Sequence, residues 1–225
     1  MHIRIACRSA LVAVLLSFAA VPASAADEGT RTDRSCGDLR LTGSLPAPPV
    51  GMAVQQEVSI GVDCRPRLGE VRLTPLGRSG GTAAGSGTKD TESGWHRLSS
   101  WNEMYDCCRI RMTALYLTSR WATEGGHVVS AGAGATQQWN REPWDAGWSR
   151  ESATEGVDCA TGCPASRSEA HADFTYRGIF DATGAWYANT HHSYVDLKAD
   201  GTAFCHFEVN LRHTFIGWNW RRGCA

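Results

Sequence analysis

His192 and Glu208 are the pair in this chain best suited to moving a proton, a histidine and a carboxylate that would act as base and acid if the fold set them side by side. They would serve a small secreted metal-free hydrolase. No H-E-x-x-H pair is present for zinc hydrolysis, and no G-x-S-x-G for a serine nucleophile. Gly85-Ser86-Gly87-Thr88-Lys89 has the wrong order for a phosphate loop. Seven histidines follow residue 25, enough for one such pair to arise without a catalytic role. No metal and no cofactor is expected.

Cysteine is the second chemical resource. Arg4 and Arg8, an apolar run from Leu11 to Ala20 and the small residues Ala23-Ser24-Ala25 make residues 1–25 a secretion signal, too short to span a membrane. Cys7 belongs to it. Cys36, Cys64, Cys107, Cys108, Cys159, Cys163, Cys205 and Cys224 remain. An even number of cysteines in an oxidising compartment reads as disulfides. The spacing Cys159-x₃-Cys163 differs from that of thioredoxin-like sites, so it reads as a rigid knuckle rather than a redox or zinc centre. Cys36 with Cys64 would close a loop worth ~3.5 kcal/mol in the chain-entropy model. Cys107 and Cys108, placed on a strand, would point to opposite faces and bridge to different partners.

Aromatic side chains are the third. Trp139, Trp144 and Trp148 lie close together, and exposed they would stack on a sugar ring or anchor a partner. The competing role is core filling: the residues after 25 hold 19 aromatics but only 15 Leu and Ile together. At most one or two of the three should therefore be exposed.

The elements that position these groups follow from composition and periodicity. Aromatics and β-branched residues with many glycines favour strands and turns. The expected fold is all-β, a mostly antiparallel sandwich or barrel-like pair of sheets, disulfide-stabilised, with at most a short helix. Residues 26–76 form an N-terminal strand segment, which docks on its own chain or on another. Residues 77–94 lack aromatic, Leu, Ile, Val or Met side chains after Leu76 and read as a Gly/Ser-rich linker or exposed loop. Residues 95–225 form a C-terminal β domain. Ser100 with Glu103 resembles a capping box, the one helix signal.

The clearest local structure is a meander from Ala170 to Phe215. Ala172, Phe174, Tyr176 and Phe180 fall on one face of its first strand, with Asp181 to Gly184 as the turn. A second strand runs from Trp186 to Leu197. A three-residue loop, Ala199 to Gly201, would set Val195 opposite Cys205, His192 opposite Glu208 and Tyr194 opposite His206. Those pairings, with Leu197 opposite Ala203, set apolar against apolar and polar against polar, an agreement that a shift of one residue would destroy. The outer face then carries Asp173, Arg177, Thr190, His192, Tyr194, His206, Glu208, Asn210 and Arg212.

Charge narrows the function. Without Arg4 and Arg8, 20 of the 22 basic residues stand against 23 acidic ones, a formal charge of −3. That balance argues against nucleic acid as partner. Only Lys89 and Lys198 are lysines, as in a GC-rich bacterial genome. The expected function is secreted, extracellular and non-enzymatic: protein–protein contact as an adaptor, inhibitor or structural component of an assembly. Such a protein would meet another secreted or cell-surface protein, with no membrane span. Strand addition by the N-terminal segment is one mode. A carbohydrate-binding module using Trp144, Trp148, His192 and Tyr194 on a polysaccharide is the alternative to it, and the hydrolase with His192 and Glu208 is another.

Overall fold

A computed structural model of the chain describes residues 35–76, 94–141 and 147–225. The leader, nearly all of the Gly/Ser-rich stretch and Trp144 lie outside the described residues. Strands alternate with turns throughout: β1 (Ser35–Pro46), β2 (Met52–Ile60), β3 (Pro66–Leu68), β4 (Arg72–Pro75), β5 (Trp95–Tyr105), β6 (Arg111–Glu124), β7 (His127–Trp139), β8 (Trp148–Val157), β9 (Ala165–Tyr176), β10 (Ala188–Lys198), β11 (Ala203–Phe215) and β12 (Asn219–Cys224). Among the described residues there is no helix, hence none long and apolar enough to cross a membrane.

Two antiparallel sheets face each other. The first, sheet A, has the order β1-β11-β10-β9-β8; the second, sheet B, runs β3-β2-β12-β5-β6-β7, with β4 also paired to β2. Alternation supplies the core. Phe207, Val209 and Leu211 of β11 point inward from sheet A, and Val54, Val58, Trp220, Met104, Leu115 and Leu117 from sheet B. The N-terminal segment docks on its own chain, in both sheets: β1 pairs with β11 and β2 with β12. Its long strands are therefore already paired along one edge.

Three disulfides brace this arrangement. Cys205–Cys224 joins β11 to β12 across the two sheets, with both cysteines fully buried. Cys36–Cys64 ties the start of β1 to the turn after β2, again across the sheets. Cys159–Cys163 closes the β8–β9 loop, which docks on the edge of β7 through backbone bonds between Val128 and Cys163.

Cys107 and Cys108 correct the expectation of a fully paired set: they are unpaired and exposed. They occupy a turn, not a strand, because β6 begins only at Arg111. The Asp106 carboxylate accepts hydrogen bonds from the backbone of Cys108 and Ile110, both at 2.8 Å, and Arg109 takes a left-handed conformation, φ 65°. The helix signal also fails. Ser100 and Glu103 both lie in β5, Ser100 facing the core while Glu103 accepts from Tyr105 and Tyr116 on the outer face.

The interior is not purely apolar. Asn102 on β5 reaches across the sandwich, its Nδ2 donating to the Glu208 carbonyl at 2.9 Å and lying 3.3 Å from the His192 carbonyl and the Ser193 hydroxyl. Its Oδ1 accepts from Trp220 Nε1 at 2.7 Å. Beside it, Asn189 donates to the Thr113 hydroxyl, which lies 2.8 Å from His191 Nε2. His191 is completely buried, and that burial pushes its pKa down to about 3 and keeps the ring neutral. Arg222 also enters the interior, stacked on Trp220 and donating to Gln56.

Candidate outer face of sheet A

The register expected for the meander is the register found. His192 faces Glu208, Tyr194 faces His206 and Val195 faces Cys205. Lys198 N donates to Thr202 O, closing the three-residue loop, and Gly201 supplies its positive φ of 80°. On the other side of β10, Asp173, His171, Glu169 and Arg167 of β9 stand opposite Thr190, His192, Tyr194 and Asp196. One layer of polar and aromatic side chains results.

Its members are paired with one another. His171 Nε2 is 3.1 Å from Asp173, His192 Nε2 3.6 Å from Glu169, and His206 Nε2 3.0 Å from Asp196. The Tyr194 and His206 rings stack at 4.4 Å and nearly parallel, 9° apart. The Arg167 guanidinium lies 4.4 Å from the Tyr194 ring and bonds Asp196 at 2.8 Å. Glu208 takes a 2.6 Å ion pair from Arg40 of β1 and a hydrogen bond from Asn210. Burial raises the Glu208 pKa, but Arg40 and Asn210 outweigh it and hold the carboxyl below its usual range. Burial likewise opposes ionisation of Asp173, yet Ser152, Thr190 and His171 bring its pKa below the ordinary value.

The catalytic reading therefore meets a Glu208 already committed to Arg40 and Asn210, while His192 Nε2 lies 3.6 Å from the carboxylate of Glu169. Arg212 sits at the end of the face and donates to the Ala185 carbonyl. Trp148 corrects the stacking-platform expectation. It is 5% exposed and packs edge-on against Tyr176, so it fills the core as the shortage of Leu and Ile requires. Trp144 is outside the described residues. Among the described residues no group of three or more His, Cys, Asp or Glu side chains is arranged to hold a metal ion.

Sequence reasoning missed Arg40, Glu169, Arg167 and Asp196. Glu169 and Arg167 were accessible by extending the period-two alternation of β9 backwards past Ala170. Arg40 was not, because its partner strand lies far along the chain.

At one end of the sandwich an apolar pocket of about 310 Å³ opens among Met112, Trp148, Tyr176, Phe180, Phe215 and Trp218, with Asp106 also lining it. The β9–β10 loop beside it carries the exposed Phe180 and Trp186, which belong to neither strand. Asp181 organises this loop: its carboxylate accepts from the backbone of Thr183, Gly184, Trp186 and Tyr187 and from the Thr183 hydroxyl. Burial disfavours its charge, but these donors outweigh it and hold the pKa far below the ordinary carboxylate value.

A pH dependence follows. A carboxylate with a lowered folded pKa stabilises fully above its unfolded pKa, about 4, and loses that contribution as pH falls further. Buried neutral His191 works in the same direction over a higher window: the unfolded chain binds a proton below about pH 6.5 that the fold refuses until about 3. The thermal midpoint should decline from about pH 6.5 downward and steepen below about pH 4. Asp181→Asn should start lower at neutral pH and show a shallower acid limb. Calorimetry across this range checks both; a midpoint flat down to about pH 3 contradicts them.

No family model, no curated protein and no solved structure matches the chain, so this face is read from its own chemistry.

Proposed function

We propose that this is a secreted, non-enzymatic binding protein working through protein–protein contacts, as an adaptor, inhibitor or structural component of an extracellular assembly. Its contact surface is the outer face of sheet A. The observation that carries the reading is the stacked and ion-paired layer of Tyr194, His206, Arg167, Asp196, His192 and Glu169. Tyrosine and arginine are enriched where proteins meet, and they dominate binding energy there. Side chains already held by their neighbours lose little rotamer freedom on docking, which favours affinity. Strand addition by β2 is not part of the proposal, since β2 is paired on both sides within the chain, and the proposal rests on the sheet face rather than on the edge that β1 forms. The bridged cysteines and the leader-like residues 1–25 support the extracellular setting.

The test is recovery of partners from the extracellular medium of the source organism by the immobilised chain, compared with a Tyr194→Ala/His206→Ala double variant. The expected result is at least a roughly tenfold loss of affinity, about 1.4 kcal/mol, at an almost unchanged thermal midpoint. Equal recovery by the variant refutes the face as the contact surface. A response to polysaccharides on a glycan array, with no protein recovered, favours the carbohydrate alternative instead.

A further inference from the structure

We propose that Cys107 and Cys108 are a redox pair, joined to each other by a reversible disulfide between adjacent residues. Three observations carry this. Six of the eight cysteines after residue 25 are already paired at bonding distance, which leaves these two only each other within the chain. Their sulfurs are 3.7 Å apart, near van der Waals contact, and both residues are exposed. The turn is fixed from both ends: Asp106 N donates to the Ile110 carbonyl, Arg109 N donates to the Asp106 carbonyl, and the Asp106 carboxylate holds the backbone between them. The two thiols are thus held side by side on a rigid hairpin tip rather than scattered by a mobile loop.

The oxidant is a disulfide of low molecular weight, of the glutathione type. One thiolate attacks it, forming a mixed disulfide and releasing one thiol. The second thiolate attacks the cysteine sulfur of that mixed disulfide and releases the other thiol. The cysteine pair loses two electrons and two protons; the external disulfide gains both. Adjacent Cα atoms across a trans peptide stand about 3.8 Å apart, closer than in ordinary disulfides, so the ring is strained and easily reopened. Buried Cys205–Cys224 is shielded from the same reductant. Asp106, the residue before the pair, lines the apolar pocket. Ring closure would stiffen that lining.

The experiment uses the full chain prepared under oxidising conditions, alkylated in denaturant without reductant and cut with trypsin. Leu98–Arg109 is a single tryptic peptide holding both cysteines. It should appear unalkylated and lighter by two hydrogens than the dithiol. Two alkyl groups on this peptide, or a link from it to any other peptide, overturn the proposal. In a graded glutathione redox buffer the pair should open before the other three disulfides, and simultaneous opening overturns its reversibility. Cys107→Ser should leave one alkylatable thiol at Cys108 and an unchanged fold; a Cys108 found linked elsewhere in that variant counts against the pairing.

Discussion

Asn102→Leu should cost the fold about 3–5 kcal/mol and lower the thermal midpoint by roughly 10 °C. Leucine has the branched shape of asparagine and is somewhat larger, so the loss is not a cavity. It is the loss of the bond from Trp220 within sheet B and of the bonds that Asn102 makes across to sheet A. Trp220 Nε1 would keep its hydrogen with no acceptor, and the Glu208 carbonyl would lose a 2.9 Å donor in a buried setting. Each unsatisfied buried group costs roughly 1–3 kcal/mol. The same bonds hold the backbone of His192 and Glu208 from behind, so the outer face of sheet A should loosen as well. Asn102→Asp keeps the shape but turns the Nδ2 donor into an acceptor facing two carbonyls, and should be worse. Urea unfolding measures both; a loss below about 1 kcal/mol for the leucine variant would show that the crossing bonds are replaceable.

Gly43→Ala should destabilise by about 3 kcal/mol, at the high end for overpacking. A Cβ on Gly43 of β1 would fall 1.2 Å from Nη1 of Arg222. That guanidinium cannot retreat easily: the residue is 4% exposed, lies over Trp220 and bonds Gln56. Its Nε and Nη1 have no hydrogen-bond partner, and burial lowers its pKa. The cause can be isolated by a double-mutant cycle. Arg222→Met removes the colliding atoms and a buried charge that no carboxylate pairs with among the described residues, so alone it should be close to neutral or stabilising. In that background Gly43→Ala should cost less than about 1 kcal/mol. A cost unchanged by Arg222→Met would place the strain in β1 itself.

The fold was most legible where alternation and turn chemistry agreed. Between Val195 and Cys205, Gly201 marked a tight loop, and the register it set paired Val195 with Cys205, Leu197 with Ala203, His192 with Glu208 and Tyr194 with His206; the candidate site follows from it. Legibility failed in β5, where the pattern is inverted: Ser100 and Asn102 face inward while Trp101 lies on the outer face over Gly223. Polar residues satisfied by bonds across the interior cannot be told from solvent-facing ones by periodicity. Cys108 to Met112 misled for the opposite reason. The residues alternate, but Asp106 captures the backbone and bends it before a strand can form. Arg40 stayed hidden because nothing local to it names β11 as its neighbour.

The pairing of β1 with β11 sets Ser35 against Phe215, and that of β2 with β12 sets Val54 against Cys224. β1 and β2 therefore wait for β11 and β12, far later in the chain, before either sheet is complete. Contacts so distant in sequence slow folding, and unpaired edges left open meanwhile invite aggregation. Closure of both sheets is therefore set by the arrival of β11 and β12 rather than by growth from the first hairpin.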